Sequence, residues 1–200
     1  WWSASTVYFP PGNDCANQRT GAEPQALAFA HLRLQQFVAT RSTLPPDKGL
    51  SHGTVLVVVR DPRTNFGIRS VLNQDNVTAA VQELLPGWNV EIFSDWPKPP
   101  DPATGCSMFM RADLIIGPHG AGFANLLCAR QGVPLIEFQQ RDHSWDFELL
   151  SLKLGMPYIG VSWGVKHNKG GPVDVQSVRS ALAHAKALIA KRKVRGMQEQ

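Results

Sequence analysis

The stretch "ADLIIGPHGAGFANLL", residues 112–127, changes character halfway along. Its first part is an apolar run through Leu114 and Ile116, which is typical of a strand buried on both faces of a parallel sheet. Glycines and one histidine interrupt the run before a second apolar run begins. Because ligands bind beyond the carboxyl ends of the strands in an open α/β sheet, a glycine loop at this point predicts a binding site.

Strands and helices are predicted to alternate on both sides of this loop. Besides "DLIIG", strands are predicted at "TVLVVV" (residues 54–59), "WNVEIFS", "VPLIEF" and "PYIGVS". Helices are predicted at about residues 24–40 and at "NQDNVTAAVQELLPG", "ATGCSMFMRA", "AGFANLLCAR", "SWDFELLSLKLG" and "DVQSVRSALAHAKALIAKRK". Asn73 or Asp75 lies near the cap of the second helix, and the alternative for Asn73 is to orient the loop before it. This alternation predicts an α/β fold, a Rossmann-like parallel sheet with helices on both faces.

The composition fits a globular protein of one domain or slightly more. Of the 200 residues, 43% are hydrophobic and 18% charged, and no run approaches the roughly 20 apolar residues of a membrane span. The net charge of +4 is concentrated in the C-terminal helix, so no nucleic-acid partner is expected. We expect a Rossmann-like domain at residues 51–200, preceded at residues 1–50 by an irregular segment and a helix from an inter-domain region. The chain opens on "WWSAS" without methionine, so we expect any membrane anchor in an N-terminal segment outside it.

The glycine loop has the chemistry of an anion site. Gly117, Gly120 and Gly122 allow close backbone approach, and the helix predicted after them would offer N–H groups and a favourable dipole. His119 could donate a hydrogen bond to a phosphate oxygen. The glycine spacing is neither the dinucleotide fingerprint G-x-G-x-x-G nor a P-loop. The simpler alternative is a tight strand-to-helix turn with a hydrogen-bonded histidine.

Arginines and a glutamate follow other predicted strands at the same edge. Arg60 ends the first strand and Arg69 lies just before the next helix, so both are candidates for bidentate phosphate binding. Arg63 is a third candidate, with an ordinary surface charge as the alternative. Glu137 ends the fourth strand, where a carboxylate commonly accepts hydrogen bonds from ribose hydroxyls; the alternative is a solvated strand end.

No metal site is predicted. The chain has no Asp-x-Asp, and its six histidines show no ligand spacing, so arginine, histidine and backbone N–H groups would supply the positive field. The three cysteines leave at least one thiol unpaired if the other two form a disulfide. "GVSWG" matches the hydrolase pattern G-x-S-x-G around Ser162, with Asp174 and His184 after it. A loop is predicted where a nucleophile elbow would need a helix, which counts against a hydrolase.

Three segments, in this order, resemble the C-terminal half of glycosyltransferase family 61: "VVVRDPRTNFGIRSVLN", "ADLIIGPHGAGFANLLCARQGVPLIEF" and "LGMPYIGVS". That family includes plant xylosyl- and arabinosyltransferases and animal O-linked N-acetylglucosaminyltransferases. The positions that match the family pattern are Arg60, Arg69, Asn73, Gly117, His119, Gly120, Ala121 and Asn125. Phe123 and Ala124 stand where the family usually has Leu-Thr.

The resemblance implies a GT-B enzyme, of which this chain is the donor-binding half. It implies transfer of a hexose or pentose from a UDP-sugar to a hydroxyl of a glycan or glycoprotein, with inversion and with neither a cofactor nor a metal. The implied donor-binding residues are Arg60, Arg69, Gly117, His119, Gly120, Ala121, Gly122, Asn125 and Glu137. The implied setting is the lumen of the Golgi or endoplasmic reticulum, where the sequon at Asn76 can be glycosylated.

Two questions about the function stay open at the level of the sequence. His119 is the candidate general base in this chain, although in GT-B enzymes the base often comes from the N-terminal domain. The alternative function is a non-catalytic Rossmann module that binds a nucleotide and transfers nothing. The glycine spacing counts against a third possibility, a dehydrogenase.

Overall fold

The computed structural model describes residues 24–41, 52–64, 68–142, 145–167 and 169–198. A five-stranded parallel sheet has the order β2-β1-β3-β4-β5, with β1 Thr54–Val59, β2 Asn89–Ser94, β3 Leu114–Pro118, β4 Leu135–Gln140 and β5 Tyr158–Trp163. The helices are α1 Pro24–Arg41, α2 Gln74–Leu84, α3 Pro102–Arg111, α4 Asp146–Lys153 and α5 Val175–Gln198, with a 3₁₀ helix at Ala121–Cys128. The predicted α/β fold is confirmed.

Apolar side chains cover both faces of the sheet. Strands β1, β3 and β4 lie in the middle, and their apolar runs are almost entirely buried, as expected for strands covered twice. One face packs against α2 and α5, where Val77 and Leu182 are fully buried. The other face packs against α1, α3, α4 and the 3₁₀ helix, where Phe109 and Phe123 are fully buried. The Rossmann-like arrangement with helices on both faces is therefore confirmed.

The strand order produces a crevice at the carboxyl ends of β1 and β3. From β1 the chain moves outward to β2, then returns past β1 to β3 before moving outward again to β4 and β5. Doubly wound folds of this order bind their ligands where the direction reverses. A Cβ on Gly117 in β3 would lie 2.6 Å from the carbonyl oxygen of Val58 in β1, so only glycine fits where these two strands meet.

Helix α1 packs on the second face of the sheet. Val38 is buried there, and Nδ1 of His31 lies 3.0 Å from the carbonyl oxygen of Leu127, so His31 has a structural role. The irregular chain predicted for residues 1–23 lies outside the described residues, and the domain division at residue 50 stays a prediction. No helix in the described part of the chain is long and apolar enough to cross a membrane.

The helix predicted after the glycine loop is present, and it is a 3₁₀ helix over Ala121–Cys128. This winding bonds the backbone N–H of Phe123 to the carbonyl oxygen of Gly120 (2.9 Å), so a donor expected to meet the ligand is used within the loop. Asn73 occupies the N-cap position of α2, but its side chain does not cap the helix, so the predicted capping role was wrong. Its Nδ2 donates to Val173 O and its Oδ1 accepts from Val173 N, both at 2.9 Å.

A disulfide joins Cys106 in α3 to Cys128 at the end of the 3₁₀ helix. The sequence left the pairing of the cysteines open, and Cys15 lies outside the described residues. Both half-cystines are buried, and 22 positions separate them in the sequence. The bond therefore ties the segment after the glycine loop to a neighbouring helix.

Removing this disulfide is expected to lower the free energy of unfolding by about 3 kcal/mol, because the cross-link restricts a loop of this length in the unfolded chain. The test is urea unfolding of the double variant Cys106→Ala/Cys128→Ala. A reducing agent should lower the midpoint of the unmodified protein similarly and leave that of the double variant unchanged. Equal midpoints for the two proteins without reductant would contradict the prediction.

Candidate functional site

Arg60 and the glycine loop meet at the crevice between β1 and β3. Arg60 directly follows β1, and His119 directly follows β3. A Cβ on Gly120 would lie 2.6 Å from Nη1 of Arg60, so the guanidinium rests against the loop and depends on the absence of a side chain there. Nε of Arg60 lies 3.9 Å from Oδ2 of Asp95, which follows β2. These contacts place a guanidinium at the ligand-binding edge of the sheet.

Arg69 reaches the same edge from the segment before α2. Its φ is 61°, a left-handed conformation that costs a non-glycine residue roughly 1 kcal/mol. Its backbone N–H donates to Lys169 O (3.2 Å), its Nε donates to His167 O (3.3 Å), and its Nη2 lies 2.5 Å from Nε2 of His167. The segment after β5 therefore holds both the backbone and the guanidinium of Arg69. Strained backbone fixed in this way is a recurring feature of functional sites.

The electrostatics of the site come from positive groups held close together. Burial first, and then the charge of Arg60, lowers the pKa of Arg69. Burial first, and then the charges of Arg69 and His119, lowers the pKa of His167 below its usual value. His167 is therefore neutral near pH 7, and its Nε2 accepts the hydrogen bond from Arg69. Two guanidinium groups close together attract an anion strongly.

The buried carboxylate of Glu137 forms a hydrogen bond with His119 and fixes its orientation. Oε1 of Glu137 lies 2.6 Å from Nδ1 of His119, and Oε2 accepts from the hydroxyl of Tyr158. Burial first, and then the hydrogen bond to Glu137, raises the pKa of Tyr158, so its hydroxyl keeps its proton and donates. The ring of His119 also lies against Phe147 of α4, with 5.0 Å between the ring centroids. His119 is thus fixed in orientation by groups from β4, β5 and α4.

This arrangement changes the interpretation of Glu137. The carboxylate was expected at a strand end, accepting hydrogen bonds from ribose hydroxyls. The strand-end position was wrong, because β4 continues to Gln140 and Glu137 lies inside it. Glu137 is fully buried, and both of its oxygens already accept hydrogen bonds from protein side chains. The side chain of position 137 points to the interior because it follows the alternation of β4 at a place where His119 and Tyr158 can satisfy its charge. We therefore assign Glu137 to orienting His119.

The remaining predicted donor-binding residues shape the loop. Gly117 allows β3 to approach β1, and a Cβ on Gly122 would lie 3.1 Å from Val58 Cγ1. Nδ2 of Asn125 donates to Gly122 O (3.0 Å), so it stabilises the first turn of the 3₁₀ helix. Ala121 is exposed at the start of that helix. Of the predicted residues, the structure brings Arg60, Arg69, His119 and Gly120 together.

Sequence reasoning missed two residues of the site, His167 and Tyr158. Both belong to segments that the strand prediction had already placed at β5 or just after it. Their chemical role depends on partners far away in the sequence: 98 positions separate His167 from Arg69, and 21 separate Tyr158 from Glu137. Position at the ligand-binding edge was the available signal for His167, because a histidine beyond the carboxyl end of a parallel strand is a candidate by location alone.

Rival chemistries have less support from side-chain placement. Within the described ranges, no group of three or more His, Cys, Asp or Glu residues is arranged to hold a metal ion. Ser162 lies inside strand β5 rather than on a turn between strand and helix. Oδ2 of Asp174 accepts from the backbone and the hydroxyl of Ser177 at the start of α5. The hydrolase pattern therefore lacks the nucleophile elbow that its chemistry needs.

Comparisons with known proteins give a family and a structural likeness. The family model described as Glycosyltransferase 61 matches residues 7–136, which is well over half of the chain and includes Arg60, Arg69, His119 and Gly120. A search of the curated proteins found no match. Among solved structures, a Streptococcus pneumonia TIGR4 flavodoxin is similar with a TM-score of 0.43 and 16% identity, over 70% of this chain and 99% of the flavodoxin.

Proposed function

Because the chain belongs to glycosyltransferase family 61, we propose that it transfers a sugar from a UDP-sugar to a hydroxyl group of a glycan or glycoprotein. In this proposal the chain forms the donor-binding half of a GT-B enzyme, the reaction inverts the anomeric carbon, and no metal ion is required. The observation that carries it is that Arg60 lies against Gly120 in the crevice between β1 and β3, while Arg69 reaches the same edge through His167, whose ring lies 5.9 Å from that of His119.

The positively charged arginine side chains of the site act on the diphosphate of the UDP leaving group. In the transfer the acceptor hydroxyl gives its proton to a general base, which in this proposal comes from the other half of the GT-B enzyme. The acceptor oxygen bonds to the anomeric carbon, the bond between that carbon and the β-phosphate oxygen breaks, and UDP leaves with the bonding electrons. Negative charge therefore grows on the diphosphate in the transition state. Arg60 and Arg69 are already held in place, so they stabilise this charge without reorganising.

We assign His119 to the diphosphate rather than to the acceptor. The leaving phosphate and the acceptor hydroxyl lie on opposite faces of the anomeric carbon in an inverting reaction, so one imidazole cannot serve both. His119 follows the same strand as Gly120 and lies 5.9 Å from the ring of His167, on the side of the arginines. Its Nδ1 donates to Glu137, so Nε2 would donate to a phosphate oxygen as the second N–H of an imidazolium ring. The predicted role of His119 as general base is therefore not part of this proposal.

An endomembrane lumen is the compartment that we propose for this reaction, either Golgi or endoplasmic reticulum. The disulfide between Cys106 and Cys128 supports it, because disulfides form and persist in oxidising compartments. Asn76, the acceptor position of the sequon, is exposed on α2, where a glycan could be accommodated.

Replacing Gly120 with alanine tests the proposed site with little disturbance of the fold. The new Cβ would meet the end of a flexible side chain, so Arg60 moves aside and the loop keeps its place. We expect transfer from UDP-sugars to fall by about 100-fold, because small displacements of positioned groups have effects of this size. The assay uses the purified protein with a panel of UDP-sugars and glycan acceptors.

Gly164→Ala is the matched control, since a Cβ at Gly164 would have no atom within 4 Å and should leave transfer unchanged. Unchanged transfer by Gly120→Ala would remove the loop from the donor site. UDP binding by the unmodified protein without transfer from any donor would favour the non-catalytic nucleotide-binding module.

A further inference from the structure

An exposed tryptophan lies at the ligand-binding edge on the β2 side of the crevice. Trp96 follows β2 and is 41% exposed. The guanidinium carbon of Arg63 lies 4.5 Å from the centroid of its ring, in a cation–π contact. We call these two side chains the tryptophan platform.

Hydrogen bonds fix the platform from behind. Asp61 accepts from Nε and Nη2 of Arg63, both at 2.7 Å, and from the backbone N–H of Arg63 at 2.9 Å. The hydrogen bond from Arg63 lowers the pKa of Asp61 to about 2, so the pair stays ionised at ordinary pH. The backbone N–H of Asp61 in turn donates to Oδ1 of Asp95 (2.8 Å). Exposed ion pairs of this kind contribute little to stability, so their effect here is to hold Arg63 over the ring.

The platform is connected to the proposed diphosphate site through Asp95. Oδ2 of Asp95 lies 3.9 Å from Nε of Arg60 and also accepts from the hydroxyl of Thr64 (2.9 Å). Strand β2 is two positions from β3 in the sheet, which puts Trp96 about 10 Å across the edge from the glycine loop. This separation suits one nucleoside, with its diphosphate in the crevice and its base over the neighbouring strands.

We propose that Trp96 stacks the nucleobase of the donor nucleotide. The inference rests on the proposed function, because it extends the diphosphate site to the rest of the nucleotide. A base has a planar π-face that suits an exposed indole held flat by a guanidinium on one side. The same edge offers the carboxylate of Asp95 and the hydroxyl of Thr64 as polar neighbours. The platform thus supplies affinity for the nucleoside, while the arginines bind its phosphates.

Calorimetry with UDP and with inorganic pyrophosphate tests the inference on the purified protein. We expect Trp96→Ala to weaken UDP binding by roughly 10- to 100-fold, the range that loss of one stacked base produces. Pyrophosphate affinity should stay unchanged, which also shows that the variant is folded with an intact phosphate site. Trp96→Phe should retain most of the UDP affinity. Trp145→Ala is the matched control, because Trp145 is 60% exposed at the start of α4 and lies outside the platform.

Several outcomes would overturn the inference. Equal UDP affinity for Trp96→Ala and the unmodified protein would exclude stacking of the base on Trp96, while the proposed function would still stand. The same conclusion would follow if Trp145→Ala lost UDP affinity and Trp96→Ala did not. Unchanged UDP affinity with a raised KM for the acceptor would place an acceptor sugar on the ring. Failure of the unmodified protein to bind either UDP or pyrophosphate would overturn the proposed function together with this inference.

Discussion

Replacing Arg69 with alanine is expected to lower kcat/KM for sugar transfer by about 100- to 1000-fold, the loss seen when one positioned donor to a developing anion is removed. Arg69 is the guanidinium that the fold holds most firmly, through His167 and Lys169. Among the described residues no carboxylate forms an ion pair with it, so its charge is available to a ligand. The measurement is steady-state transfer from the best UDP-sugar donor, with UDP affinity measured alongside.

Three further variants separate the effect of the Arg69 guanidinium from the effects of backbone strain and of positive charge in general. Arg69→Gly should be as inactive as Arg69→Ala yet more stable than it, by roughly 1 kcal/mol, because glycine adopts the left-handed conformation without strain. Arg69→Lys should recover little activity, since an ammonium lacks the bidentate fork. Arg179→Ala, at an exposed pair with Glu83 on α5 and α2, is the control and should transfer normally. Unchanged turnover by Arg69→Ala would exclude Arg69 from the donor site.

The strands of the sheet are predictable from the sequence because a strand that is buried on both faces is apolar along its whole length. A strand such as "TVLVVV" or "DLIIG" has no polar face, and the predicted strands lie where the structure has them. The order of strands then places Arg60 and Gly120 at one edge without knowledge of any side-chain contact. The helix type after the loop was not predictable in this way, since "AGFANLLC" has the same apolar content whether it winds as α or 3₁₀.

The contacts that complete the site come from long-range packing. Asn73 meets Val173 across 100 positions, and Arg69 meets His167 across 98. No local pattern encodes such a pair, because each partner is compatible with many other neighbours until the sheet is assembled. The same holds for Glu137, which was predicted at the end of the fourth strand but lies inside β4, buried against His119. Sequence patterns therefore located the ligand-binding edge of the sheet, whereas long-range packing determines which side chains meet there.

Exchanging Glu137 for glutamine is expected to reduce transfer by about 100-fold while the protein remains folded, because His119 loses the charge that orients it. Glutamine can still accept from His119, but its amide nitrogen cannot accept from the Tyr158 hydroxyl. Glu137→Leu removes both acceptors, and we expect it to lower the free energy of unfolding by about 3–5 kcal/mol, the cost of breaking a buried charged pair. Urea unfolding and steady-state transfer measure the two effects separately.

A double-mutant cycle between positions 137 and 119 decides how Glu137 acts. If Glu137 works by orienting His119, the loss in Glu137→Gln/His119→Ala should equal the loss in His119→Ala alone, since nothing is left to orient. If Glu137 instead contacts the donor ribose, the two losses should multiply, because each variant then removes a separate contact with the nucleotide. Full burial of Glu137 and its two engaged oxygens favour the first result. Glu137 would then act on the donor only by orienting His119, as a hydrogen-bond acceptor buried inside β4.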